Sequence, residues 1–145
     1  MDAELIDQQK YEMARAQLGA AFSRILGYFR EDGIKSVEQI EAAFRDRNSV
    51  ALVIPAHTLK GESRQFGSIA LGDLAEKIEM TARHLVEAHF GPEELATEVA
   101  GLRICFTRTL TELEDHARPA IGNRAGVSGF GRRIAPTSLS NLSRN

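Results

Sequence analysis

Little in this sequence can be locked covalently. It has a single cysteine, Cys105, so no intrachain disulfide can form, and a reducing cytoplasm fits. Cys105 lies in the apolar helical stretch "LRICFTRTL", where an inert buried thiol is expected rather than a nucleophile. No apolar run approaches the roughly 18 residues that a membrane-spanning helix needs. The N-terminal stretch "MDAELIDQQKYEM" is polar and acidic, unlike a signal peptide. No P-loop and no glycine-rich nucleotide box occur. Acidic residues are missing from 119–145, although the chain holds 20 of them. That stretch carries Arg124, Arg132, Arg133 and Arg144 instead, so the body before it is acidic and argues against nucleic acid as the main partner. The basic stretch leaves only a weak electrostatic route to one.

Proline and glycine are sparse before residue 119 and fall at punctuating points, of which Gly33, Pro55, Gly61, Gly67, Gly72 and the pair Gly91-Pro92 matter most. Apolar spacing is helical, with no sustained alternation of period two. Five helices are predicted, over about 4–31, 35–46, 49–66, 69–89 and 92–117. The first carries Leu18, Phe22, Ile25, Leu26 and Phe29 on one stripe and is expected to end at "EDG", 31–33. Asn48 or Ser49 can cap the third by accepting from the free N–H groups of its first turn. Gly67 stops it. "GPEE", 91–94, reads as an end and a restart, with proline in a first turn and acids at the positive helix end. Short connections between long amphipathic helices imply antiparallel neighbours. The expected fold is all-α, an antiparallel four-helix bundle with an additional N-terminal helix. It would occupy 1–118. Residues 119–145 read as a flexible basic Gly/Ser/Arg tail in which "FGRRI" can dock locally.

On a wheel of about 100° per residue with His57 at zero, Leu52, Ala56, Leu59, Ser63, Phe66 and Ala70 fall between roughly 180° and 260°. That is the core stripe. Val50, Val53, Ile54, Lys60, Gly61 and Arg64 fall within about 60° of His57. The histidine therefore points away from the core, between cations and beside a residue without a side chain. This arrangement suits phosphoryl transfer, because a neutral imidazole nitrogen is a good nucleophile near pH 7. Lys60, one turn on, can pair with phosphoryl oxygens. Gly61 costs about 0.5–1 kcal/mol in a helix interior relative to alanine, so it needs a reason. One reason is close approach of another protein's backbone, with Val50, Val53 and Ile54 as an apolar patch for it. The plainer alternatives are a solvated surface histidine and a glycine that serves helix packing.

"AHTLKGESRQFGSIALGDLAEKIE", 56–79, closely resembles the histidine-containing phosphotransfer (HPt) domain at His57, Leu59, Lys60, Gly61, Ser63, Gly67, Leu71 and Glu79. The resemblance implies a cytoplasmic, monomeric relay protein without kinase activity of its own. His57 would accept a phosphoryl group from a receiver-domain aspartate and pass it to another receiver. Lys60 would neutralise phosphoryl charge, and Gly61 would let the receiver come close. Glu79 would orient the ring or else be a solvated helix residue; Arg64 is a further supporting residue. Partners would be response-regulator receiver domains and a hybrid histidine kinase, with neither nucleic acid nor membrane among them. No cofactor or metal is expected on this chain, since the Mg²⁺ of transfer belongs to the receiver.

Two features depart from the family pattern. Glu62 replaces a small residue and is expected to reach water from the edge of the core stripe. Pro55 lies inside the third helix, where a kink or a fresh start just before His57 is expected. His84 and His89 are five apart, wrong for one helical face, and His116 ends the last helix, so metal binding is not expected. Two other functions remain open: a receiver-docking module without transfer, and a dimeric histidine-kinase-like phosphotransferase.

Overall fold

The computed structural model describes residues 4–117. The expected tail, 119–145, and its "FGRRI" stretch lie outside the described residues. The chain divides into two units, Met1–Asp115 and His116–Asn145, and the helices below belong to the first apart from His116 and Ala117.

The first helix, α1, is Gln8–Leu18, capped by Asp7, whose carboxylate accepts from the Lys10 N–H at 3.0 Å. It stops at Gly19, which takes a positive φ of 52°. A 3₁₀ turn, Gly19–Ala21, leads into α2, Phe22–Arg45. The boundary expected at "EDG" is thus corrected: α2 runs straight through Gly33. The two glycines play different parts. Gly33 keeps helical geometry and is buried, and a Cβ there would overlap the Phe106 ring. It is a packing glycine and ends nothing.

Asn48 caps α3, Ser49–Gln65, accepting from the Ala51 N–H at 3.1 Å. Of the kink or fresh start expected at Pro55, the fresh start does not occur; α3 passes through the buried proline as one helix. Next comes α4, Ile69–Ala88. It ends at His89, left-handed at φ 63°, two positions before the glycine expected to end it. A 3₁₀ turn, Glu93–Leu95, precedes α5, Ala96–Ala117, so the last helix begins later than Pro92.

Cross-helix pairs fix the directions. Arg30 meets Glu114 and Arg103 meets Glu41, so α2 and α5 run antiparallel. His57 meets Glu79 while Arg64 meets Asp73, so α3 and α4 do the same. Lys77 reaches Glu98 at 2.8 Å, joining α4 to α5. The result is the expected all-α antiparallel four-helix bundle, with α1 as the additional helix. Its core is apolar and tight: Ile40, Leu52, Leu59, Phe66, Leu71, Ile78, Leu102 and Leu113 are fully enclosed. Each such side chain contributes about 1.5–3 kcal/mol. A chain of rings joins the helices, Tyr11 to Phe22, Phe22 to Phe66, Phe66 to Phe29 and Phe29 to Phe106, with centroids 5.4–5.8 Å apart. Gly67, at φ 75°, lets the N-terminal segment lie on the α3–α4 turn: the Asp7 N–H donates to its carbonyl at 2.8 Å. No described helix is long and apolar enough to cross a membrane.

Candidate functional site

The two faces of α3 separate as the wheel predicts, apart from Val53, while Ala70 of the expected core stripe lies in α4 and is half-buried. Leu52, Ala56, Leu59, Ser63 and Phe66 are buried. His57 projects on the other side with 58% of its side chain exposed. Its neighbour in space is Glu79 of α4, brought there by the antiparallel pairing. Glu79 Oε2 lies 2.9 Å from His57 Nδ1. Lys60 Nζ pairs with Glu79 Oε1 at 2.8 Å. Arg83, one turn along α4, donates to Oε2 from Nη2 at 2.8 Å and from Nε at 3.1 Å.

The Glu79 side chain is only 3% exposed, so this carboxylate is buried beneath an exposed imidazole. A buried charge survives only with partners. Burial alone pushes the Glu79 carboxyl up, but Lys60, Arg83 and His57 together outweigh it and bring the pKa down to about 2. Glu79 is therefore ionised at neutral pH and can only accept. The proton between it and the ring belongs to Nδ1. In the neutral ring the lone pair then sits on Nε2. The solvated reading of Glu79 is overturned, and the ring-orienting geometry is present.

Gly61 is exposed, and a Cβ built on it would meet nothing within 4 Å. Helix packing does not account for this glycine. Val50 and Ile54 are 64% and 69% exposed. Val53 is half-buried, a correction to its expected place in the open patch, because it sits on the border of the packed face.

Arg64 is likewise redirected. Its guanidinium meets Asp73 at 3.0 Å and Glu76 at 2.5 Å, and those bonds hold its pKa up. Its stem lies over Gly72, where a Cβ would collide with it at 2.9 Å. The cation is taken up by α4 and is not among Glu79's partners. Glu62 also differs from expectation. It is half-buried, and its Oε1 is enclosed with no hydrogen-bond partner. Burial pushes its carboxyl up, and Asp32 of α2 adds to the shift. Cys105 is half-buried, and burial raises its thiol pKa, as suits an unreactive thiol.

Sequence reasoning missed Arg83. The signal was its spacing: four residues after Glu79 on a helix puts both on one face. It carries weight only once Glu79 is known to be buried. Among the described residues, no group of three or more His, Cys, Asp or Glu is placed to hold a metal ion.

Comparison with known proteins agrees with this architecture. The histidine-containing phosphotransfer protein B (HptB) of Pseudomonas aeruginosa PAO1 has a similar crystal structure, with a TM-score of 0.67 at 19% identity. The match covers 79% of this chain and 96% of that one, a likeness of fold. No curated protein matches the chain. The model of the Hpt domain matches residues 24–116, which take in α3 and α4, nearly all of α2 and α5, and His57, Lys60 and Arg83 around Glu79. Matched over more than half of its length, the chain belongs to the Hpt domain family.

Proposed function

We propose that this chain is a cytoplasmic phosphoryl carrier of a two-component phosphorelay, and that His57 is the residue that carries the group. The histidine phosphotransfer role comes with the family. The observation that supports the residue is the bond from His57 Nδ1 to a buried, ionised Glu79 at 2.9 Å. It leaves Nε2 of a neutral ring as the nucleophile. The Nε2 lone pair attacks the phosphorus of a receiver's aspartyl phosphate. The N–P bond forms as the P–O bond to the aspartate breaks, and the carboxylate leaves with the electron pair. The product ring holds a proton on Nδ1 and the phosphoryl group on Nε2, so it is cationic. Glu79 faces that charge and stabilises it. Return transfer to a second receiver reverses these bonds, and the ring leaves neutral.

Lys60 supplies positive charge one turn from the ring, for the phosphoryl oxygens. Gly61 offers open space beside His57, and Val50 and Ile54 offer apolar contact. A receiver docks over this face, with Val53 and Arg64 at its margin. The Mg²⁺ of the transfer belongs to the receiver, and this chain holds no cofactor of its own and acts without kinase activity. The test is incubation of the purified chain with radiolabelled phospho-receivers. The expected result is acid-labile, base-stable label on the chain, absent from His57→Gln. Label that persists in His57→Gln would overturn the assignment.

A further inference from the structure

An ionised carboxylate beside an imidazole has two opposed effects. It holds a proton on the near nitrogen, which leaves the far one free. It also favours a second proton on the ring, which removes the far lone pair. A nucleophilic His57 needs the first effect without the second. The arrangement around Glu79 separates them. Lys60 lies on Oε1 at 2.8 Å. Arg83 places two donors on Oε2, the same oxygen that accepts from His57 Nδ1. With both cations present, the three side chains around a neutral ring sum to a single positive charge, which opposes a further proton. The other nearby cation, Arg64, is taken up by Asp73 and Glu76. Lys60 is also the cation that phosphoryl transfer draws away. Once it turns to the phosphoryl oxygens, Arg83 alone still balances Glu79.

We propose that Arg83 is a positioning residue: by sharing Glu79 Oε2 with the ring, it lets Glu79 hold the Nδ1 proton of His57 while the ring stays neutral and Nε2 stays free. Its value to transfer rests on the phosphotransfer reading; its effect on the ring does not. The test is ¹⁵N NMR of the His57 ring at pH 7 in the full chain, in wild type, Arg83→Met and Arg83→Lys. The Arg83 side chain is 50% exposed, and circular dichroism of both variants checks that the helical fold is kept. In wild type the Nδ1–H neutral tautomer is expected to dominate. In Arg83→Met the doubly protonated share rises several-fold, and phosphoryl acceptance from a labelled phospho-receiver slows in proportion to the neutral share that is lost. Arg83→Lys, which keeps the charge, restores most of both. Ring signals in Arg83→Met identical to wild type would overturn the proposal. So would Arg83→Lys as perturbed as Arg83→Met, since packing rather than charge would then be at work. A wild-type chain that accepts no phosphoryl group would instead overturn the relay reading and leave the ring assignment standing.

Discussion

Glu79 bears on stability and, in the proposed relay, on chemistry as well. Its folded pKa of about 2 lies below the ordinary value of 4.5. Its ion pairs therefore stabilise the fold fully above about pH 4.5, and that contribution fades as pH falls toward 2. At about 1.4 kcal/mol per pKa unit, the effect is at most about 3 kcal/mol. Urea unfolding of wild type and Glu79→Gln should differ by up to that amount at pH 6 and converge near pH 2. A gap that stays constant across this range would remove the ionised carboxylate from the account. Lys60 makes a separable contribution, because it is partly exposed and its charge is available to a ligand. Lys60→Ala should fold and slow phosphoryl acceptance. A hydrogen bond to a charged group is worth about 1.5–3 kcal/mol, roughly a ten- to hundredfold loss in rate. Phosphotransfer kinetics give the answer, and an unchanged rate would show that Lys60 serves Glu79 alone.

Two glycines inside helices make opposite predictions at the level of the element. Gly61 of α3 faces open space, whereas Gly33 of α2 faces the Phe106 ring of α5. Gly61→Ala should raise stability by about 0.4–1 kcal/mol, because the unfolded chain loses freedom and nothing in the fold is displaced. Gly33→Ala forces a methyl group into a filled core and should cost about 1–3 kcal/mol. Thermal melts of the two variants should move in opposite directions. The same contrast separates folding from docking. Gly61→Gln should remain folded yet accept poorly from a phospho-receiver, because its side chain fills the space where the partner approaches. Normal transfer by Gly61→Gln would place the receiver elsewhere on the surface.

At the scale of the molecule, the four helices of the bundle come from one chain. The ion pairs that join α2 to α5, α3 to α4 and α4 to α5 are all within that chain. A histidine-kinase-like dimer needs helices from two chains to complete its bundle, and this one is already complete. Sedimentation equilibrium should return the monomer mass at micromolar concentration, and His57 should remain open to a partner. A stable dimer that disperses on Val50→Asp or Ile54→Asp would show that the exposed apolar patch pairs copies of this chain instead.

The sequence by itself determined the helical class, α3, α4 and α5 to within a few residues, and the outward face of His57. These follow from periodicity, which depends only on neighbours one turn away. Lys60 and Gly61 were legible for the same reason, since they share a helix with His57. Tertiary structure alone decided what lies across from that face. Whether Glu79 is buried or solvated depends on how α4 packs against α3, and no spacing within α4 states it. Arg83 became visible only after that burial was known. Arg64, adjacent on the wheel, was lost to Asp73 and Glu76 because an arginine side chain is long enough to choose the neighbouring helix. The misplaced break at "EDG" has the same cause. Gly19 and Gly33 look alike in a sequence, but only Gly19 adopts a positive φ, and only Gly33 has a ring from α5 against its backbone. Local spacing sets which face a residue takes; the partner helix sets what that residue can do.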